Sequence, residues 1–260
     1  MALVGTATDL AGLVRERGPA VVLTGAGMST ASGIPDFRSA RGMWAEVDPF
    51  EVASIDAFRR DPLRVWRWYG PRIDALLAAE PNPGHAVLAA LERAGHVTAV
   101  ITQNIDTLHT RAGSVEVVEV HGSIRRFECL RCQAQEVTLN DVLRQLETRE
   151  APECVECGAI LKPGVVMFGE ILPPGAFERA EQLAREARVL LAVGTSLQVW
   201  PVAGLPREAL RTGGTLAIVN AEATPYDDEA SVLVRGRADA VLSEMATALG
   251  ASMRGRESAS

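Results

Sequence analysis

The sequence predicts an α/β protein: a doubly wound parallel sheet with a smaller cysteine-bearing region attached. Three observations carry that prediction. Short runs rich in β-branched residues (Val21-Val22-Leu23, 97–102, 189–193 and 215–220) alternate with stretches of helical apolar spacing. Three of these runs end in polar tips, Gln103 to Asp106, Thr195-Ser196 and Asn220, at the edge where open α/β sheets bind ligands. Four cysteines fall in two C-x2-C pairs, Cys129/Cys132 and Cys154/Cys157, with 21 residues between the pairs.

Taken in order, residues 9–17 carry Leu10, Leu13 and Val14 in helical spacing, and Gly18-Pro19 stops that helix. The first strand leads into Gly25-Ala26-Gly27 and the small hydroxyl residues Ser29, Thr30 and Ser32. Glycines let backbone approach a ligand, and N–H groups at a following helix start hold phosphate oxygens. Thr30 stands where the third glycine of G-x-G-x-x-G would be, so a plain strand-to-helix turn is an equal reading. From Ser39 to about Pro83 the chain turns aromatic (Trp44, Phe50, Phe58, Trp66, Trp68, Tyr69), with helical segments expected at 51–59 and 63–68. This stretch reads as an excursion covering the glycine turn. A helix at 84–93 and the strand at 97–102 follow, then a strand at 115–120 leading into His121-Gly122. Beyond the cysteine region (about 123–163) come an apolar strand at 165–169, a helix at 176–188, two more strands and a closing helix at 239–249. Residues 250–260 read as a disordered polar tail.

At 260 residues the chain has room for one domain, or one large and one small. A net charge of −7 argues against a general nucleic-acid or anionic-membrane partner. No apolar run approaches the roughly 18 residues of a membrane span and no cationic, then apolar, leader begins the chain, so a cytoplasmic location is expected. Lys162 is the single lysine among 26 basic residues, leaving few amines for self-modification.

The cysteine spacing is that of a zinc ribbon, and four thiolates close the coordination sphere, so one structural Zn2+ per chain is expected. His121 follows a strand and precedes a glycine that opens space beside the ring. Its imidazole is a candidate general base toward a hydroxyl. His85, His96 and His109 read as helix-end or packing residues. Asn104 and Asp106 fit either turn formation or a strand-tip site, and Asp36 and Arg38 either a surface ion pair or a ligand loop. There is no nucleophile elbow, Walker lysine or H-E-x-x-H. No acidic strand-end residue lies about 20 positions after the glycines, so the marker of ribose-binding hydride-transfer enzymes is missing.

Together the motifs resemble those of the sirtuins (Sir2 family), NAD-dependent protein-lysine deacylases, of bacterial type. The matching pieces are GAGMSTASGIPDFR (25–38), TQNIDTLHTRAG (102–113), HG (121–122), the cysteine pairs, KPGVVMFGE (162–170), GTSLQVWP (194–201) and VNAEATPYD (219–227), in order along nearly the whole chain. The resemblance implies a Rossmann-like large domain made of 1–38, 84–122 and 164–249. It also implies a helical insertion with the cofactor loop at 39–83 and a zinc-binding small domain at 123–163. NAD, consumed as a co-substrate, would lie in the cleft between them. By match, Gly25, Ala26, Gly27 and Arg38 hold the pyrophosphate side, with Asp36 on the same loop, and Phe37 shields the nicotinamide end. Gln103, Asn104 and Asp106 line the nicotinamide and ribose pockets. Gly194 and Thr195 lead to Ser196, which contacts the adenosine half together with Asn220.

In the implied mechanism the acyl-lysine amide oxygen attacks C1′ of the nicotinamide ribose and nicotinamide leaves. His121, with Asn104 beside it, then serves as base toward a ribose hydroxyl that attacks the imidate carbon. The products are free lysine, nicotinamide and O-acyl-ADP-ribose. Val166 and Phe168 line the acyl-lysine tunnel, and the segments 164–169 and 197–200 take the substrate peptide as an added strand. Tyr69 and Arg72 match a Tyr-x-x-Arg pattern of sirtuins that remove succinyl and malonyl groups, since an arginine grips a distal carboxylate bidentately. Gly70-Pro71 between them is a departure, because proline interrupts helices. The partners implied are acylated-lysine proteins or peptides, with a monomer favoured. Mono-ADP-ribosyl transfer, and an NAD-binding module without catalysis, are the other readings of the same pocket.

Overall fold

The computed structural model describes residues 4–37, 39, 42–45, 47–134 and 137–251. Arg38 and most of the expected C-terminal tail lie outside the described residues. Eight strands occur among those described: β1 (Ala20–Thr24), β2 (Val97–Thr102), β3 (Val117–Glu119), β4 (Gly122–Glu128), β5 (Lys162–Val165), β6 (Val189–Val193), β7 (Thr215–Val219) and β8 (Val232–Val234). Six form one parallel sheet in the order β3-β2-β1-β6-β7-β8, and β4 pairs antiparallel with β5. The chain steps outward from β1 to β3, then returns to β6 on the other side of β1. The strand ends of β1 and β6 therefore flank the switch point, where this architecture opens a ligand crevice.

Every residue of β1, β6 and β7 is buried, as a sheet covered on both faces requires. Successive side chains go to opposite layers. Val22, Val100, Leu191 and Val219 pack against α1 (Ala7–Arg17), while Val21, Leu23, Leu190 and Ile218 pack in the opposite layer. Thr6 and Asp9 form a reciprocal cap at the start of α1.

The sequence expects a helix at 51–59; the structure has two, α2 (Pro49–Val52) and α3 (Ile55–Arg60), because the Ser54 hydroxyl caps a new start through the Ala57 amide at 3.1 Å. The next, α4, runs over Pro62–Ala78, far past the expected 63–68, with Pro71 in its interior. Gly70 removes the Cβ that would meet the proline ring, which is half of the clash that usually ends a helix there. Then come α5 (Pro83–Arg93), α6 (Leu108–Arg111), α7 (Leu139–Leu146), α8 (Pro174–Glu186), α9 (Leu205–Arg211) and α10 (Ala238–Leu249). On the sheet's two faces, α5 and α10 join the layer of α1, and α8 and α9 form the other.

A third core unites α3 and α4 with the cysteine region. Trp66, fully buried, donates its indole N–H to the Leu161 carbonyl at 2.7 Å and stacks near Phe127. The apolar strand expected at 165–169 is displaced: β5 ends at Val165, and the following segment is held by a bridge between Ser54 and Phe168.

Candidate active site

The glycine turn after β1 is not followed by an α-helix, as the sequence suggests, but by two 3-10 turns, Ala26–Met28 and Thr30–Ser32. No α-helix N-terminus is therefore offered to a phosphate here. The Gly27 amide instead donates to the Gly194 carbonyl at 2.9 Å, and a Cβ on Gly27 would sit 2.9 Å from that same oxygen. The glycines let the loops after β1 and β6 touch at the switch point. Gln103 crosses the same point, donating its side-chain amide to the Thr195 hydroxyl at 2.9 Å.

A cleft of about 570 Å³ opens beside this junction, lined by Ala26, Ser29, Gln103, Asn104, Asp106 and His121 on one side and by Phe37, Trp44, Trp68, Tyr69, Arg72, Val166 and Phe168 on the other. The first wall is a buried polar network. Asn104 donates its side-chain amide to the Gly25 carbonyl (3.0 Å) and to the Ser29 hydroxyl (3.1 Å). Ser29 in turn donates to Asp106 at 2.6 Å. The other Asp106 oxygen takes the Leu108 amide at 2.9 Å, through a turn in which Thr107 adopts a left-handed φ of 62°. A β-branched residue held there is strained, and such strain is kept where the surroundings over-determine it. Burial pushes the Asp106 carboxyl up, against the hydrogen bonds from Ser29 and the backbone.

His121 stands at the end of β3 and lines the cleft. Its Nδ1 lies 3.0 Å from the Gln103 carbonyl, which accepts only; Nδ1 must carry the hydrogen, and Nε2 is left as the proton acceptor. Burial lowers its pKa, partly countered by that bond. Gly122 does not open space beside the ring. It adopts φ 77°, and a Cβ there would lie 2.3 Å from the Gly164 carbonyl, so it is the β4–β5 contact that requires glycine. His85 and His109 are packing residues as expected, their rings 4.8 Å apart. The His109 Nε2 meets the Thr24 hydroxyl at 3.0 Å, Thr24 donates to Thr102, and Thr102 accepts the Asn104 amide, so His109 is linked to the site only through this chain.

The opposite wall is aromatic. Trp44 stacks on Trp68 with centroids 5.4 Å apart, and Phe37 and Phe168 lie at 5.1 and 6.4 Å from Trp44. The Asp36–Phe37 loop is closed by backbone bonds to Met43 and Trp44, and the Asp36 carboxylate accepts the Ser39 amide at 2.8 Å. Because α4 continues through Pro71, Tyr69 and Arg72 do share a face, and both reach the cleft. The Arg72 guanidinium lies over the Trp68 ring at 4.1 Å and donates to the Trp68 carbonyl at 2.6 Å. Tyr69 is buried, which raises its pKa. Ser196 and Asn220 end on the same sheet edge but do not line this cleft; Asn220 donates its amide to the Glu222 carbonyl at 2.9 Å.

The four cysteines converge. Their sulfurs all lie within 4.8 Å of one another, with Cys129–Cys132, Cys129–Cys157 and Cys132–Cys154 each at 3.5 Å. A tetrahedral Zn2+ with bonds of about 2.3 Å needs sulfur edges near 3.8 Å, so the donor set fits. The Cys132 amide reaches the Cys129 sulfur at 3.5 Å, orienting that ligand.

Comparison with known proteins decides the family: the Sir2 family description matches residues 25–201. This chain belongs to the Sir2 family. An NAD-dependent protein deacetylase of Sulfolobus acidocaldarius is 44% identical over 246 residues, covering 94% of this chain and 96% of that one. An NAD-dependent protein deacylase of Thermococcus kodakarensis is 45% identical over 87% of this chain and 89% of its own. Among solved structures, a Sir2 protein with a p53 peptide and NAD+ matches with a TM-score of 0.86 at 39% identity, over 94% of this chain and 98% of that one. A Sir2 protein bound to a propionylated peptide matches over the same spans with the same TM-score and identity. Within this Sir2 chain, sequence reasoning gave no role to Ser29, Trp44 or Glu170, all of which line the cleft. Ser29 had a signal in the run of small hydroxyls after the glycine turn; Trp44 had one in the local crowding of aromatics.

Proposed function

We propose that this chain is an NAD-dependent protein-lysine deacylase that releases nicotinamide, O-acyl-ADP-ribose and free lysine. The observation that carries the reading is His121, its Nδ1–H committed to the Gln103 carbonyl at 3.0 Å and its Nε2 left to accept a proton within the cleft. NAD, when bound, supplies an electrophilic ribose carbon and nicotinamide as the leaving group. Asn104, Ser29 and Asp106 give a wall of preset polar groups against which the nicotinamide ribose is oriented, at little reorganisation cost. Gly25, Ala26, Gly27 and Arg38 are proposed to take the pyrophosphate through backbone and charge; Gly194, Thr195, Ser196 and Asn220 take the adenosine half. Asp36 and Phe37 form the loop that keeps water from the departing nicotinamide. The Cys129, Cys132, Cys154 and Cys157 thiolates would hold a structural Zn2+, which has no open position and takes no part in the chemistry.

Val166 and Phe168 present half-buried side chains to the cleft and are proposed to flank the acyl-lysine stem. The Met167 and Phe168 amides are already bonded to Glu170 and Ala53, so peptide addition along 164–169 would rely on the other groups of that segment. Desuccinylase and demalonylase activity beside deacetylation is the finer proposal. It is supported by Tyr69 and Arg72 meeting on one face of α4, with the guanidinium seated on Trp68. Incubation with NAD and a panel of acyl-lysine peptides, followed by mass spectrometry, tests the whole reading; absence of O-acyl-ADP-ribose with every peptide would overturn it. Arg72→Met is expected to lower kcat/KM on succinyl-lysine at least tenfold relative to acetyl-lysine, and an unchanged ratio would reject Arg72 as the carboxylate grip.

A further inference from the structure

In a chain that otherwise uses arginine for every basic side chain, Lys162 is 1% exposed. Its ammonium has three N–H groups, and three oxygens lie within hydrogen-bond distance: the Pro163 carbonyl at 3.1 Å, the Val165 carbonyl at 2.8 Å and the Glu170 carboxylate at 3.1 Å, with the half-exposed Glu128 carboxylate farther off at 3.7 Å. The Glu170 oxygen that pairs with Lys162 also accepts the Met167 amide at 2.8 Å. One ammonium and one carboxylate thus tie both ends of the segment 165–170 to its middle. Along that segment Val165 and Met167 are buried in the third core, while Val166 and Phe168 alternate into the cleft. The Val166 amide donates to the His121 carbonyl at 2.8 Å, so the same segment is coupled to the base.

We propose that Lys162 and Glu170 are positioning residues for the acyl-lysine channel: buried Lys162 and its part-buried partner Glu170 fix the chain path that aims Val166 and Phe168 into the cleft. The role of the channel rests on the deacylase reading; the mechanical role of the pair does not. An unpaired charge in this site would be costly, whereas the pair satisfies both groups and sets one backbone conformation. The one link from this segment to the polar wall ends on the main-chain carbonyl of His121, whose ring keeps its own bond to Gln103, so the consequence falls on peptide capture rather than on the polar wall.

The test uses the full chain in four forms: wild type, Glu170→Gln, Lys162→Met and Lys162→Arg. Hydrogen exchange reads the mechanical half whatever the activity: the Met167 and Val166 amides are expected to exchange at least tenfold faster in Glu170→Gln and Lys162→Met, with the amides of β1 and β6 unchanged. Steady-state kinetics reads the functional half: KM for the acyl-peptide rises about tenfold, KM for NAD stays within twofold, and Lys162→Arg, which keeps the charge, restores most of the loss seen in Lys162→Met. Unchanged exchange at Met167 in Glu170→Gln, equal behaviour of the Met and Arg variants, or KM values for peptide and NAD rising together would each overturn the proposal. Should Lys162→Met fail to fold, Glu170→Gln alone still decides, since the carboxamide keeps the side chain's shape but is an uncharged, weaker acceptor with one oxygen, which loosens both the Lys162 and the Met167 contacts. A wild type that turns over no acyl-peptide would sink the deacylase reading and leave the exchange result standing.

Discussion

The two walls of the cleft are built by different physics. The wall of Ser29, Gln103, Asn104, Asp106 and His121 is polar, with Ser29, Asn104 and Asp106 buried, and each of these side chains is fixed by a partner at 2.6–3.1 Å. Opposite, Phe37, Trp44, Trp68 and Phe168 are held by ring contacts at 5.1–6.4 Å, with few directional bonds. Hydrogen-bonded groups in a low-dielectric setting have one good arrangement and lose much when a partner is removed, whereas apolar packing tolerates substitution of similar volume. On the proposed deacylase reading the polar wall suits the invariant chemistry on NAD, and the Trp68 and Phe168 part of the aromatic wall suits the part of the substrate that varies.

The largest expected effect breaks the aromatic wall from behind. Its α4 and β5 share a core with the cysteine region, so stripping the metal with a thiol-competent chelator should lower the melting temperature by more than about 10 °C and abolish peptide turnover. An unchanged melting temperature would mean that the four thiols stabilise nothing through a metal. Next is the polar wall: His121→Ala should cost about 10³-fold in kcat for deacylation while NAD binding stays within a few fold, as removal of a general base requires. A loss of NAD affinity equal to the loss of rate would mean the ring binds rather than catalyses.

Protonation separates the walls further, because His121 lies on the polar side. His121 acts as a base only when neutral, and burial lowers its pKa, so the acid limb of kcat/KM should fall below the ordinary histidine value of about 6.5. Stability should respond over the same range for a different reason. Burial takes His85 down to about 4 and His109 well below its usual value, so the unfolded chain binds more protons than the folded one as pH drops from about 6.5. Their contribution is complete above pH 6.5 and is lost toward pH 4, by about 1.4 kcal/mol per pH unit for each proton taken up. Denaturant midpoints measured across that range check it; a flat profile would show that these rings are charged or exposed.

The difference between the walls also explains what the sequence could reveal. Strands β1, β2, β6 and β7 were legible because burial on both faces leaves short, nearly continuous apolar runs rich in valine and isoleucine, and Gln103 to Asp106 stood out as polar residues at such a run's end. The cysteine cluster was legible because metal geometry dictates ligand spacing. The three-residue edge strand β8 is too short to show a period, and α4 was cut short because Pro71 reads as a stop unless the relief given by Gly70 is counted. At Gly25-Ala26-Gly27 composition suggested a ligand turn leading into a helix, but the glycines answer to a loop from a strand about 170 residues later in sequence, a contact no local pattern encodes. Lys162 was conspicuous as a count and silent as a role, since two of its partners are backbone carbonyls, which no side-chain pattern shows.

The smallest expected effect tests the aromatic wall's tolerance directly. Trp44 touches Phe37, Trp68 and Phe168, so Trp44→Leu removes three ring contacts while keeping an apolar surface. Aromatic pairs are worth about 0.5–1.5 kcal/mol beyond simple burial, which corresponds to roughly 2- to 12-fold in binding. Peptide KM should therefore rise by a few fold, with kcat nearly unchanged, and the ratio between acetyl- and longer acyl-lysine substrates should shift because the wall's shape changes. Ser29→Ala on the other side deletes a single hydroxyl yet leaves Asn104 and Asp106 each short of a buried partner. It should cost more, in kcat, than the loss of the whole indole. If Trp44→Leu proved the costlier of the two, or acted on kcat, the aromatic side would be holding the chemistry in place and the contrast between the walls would fail.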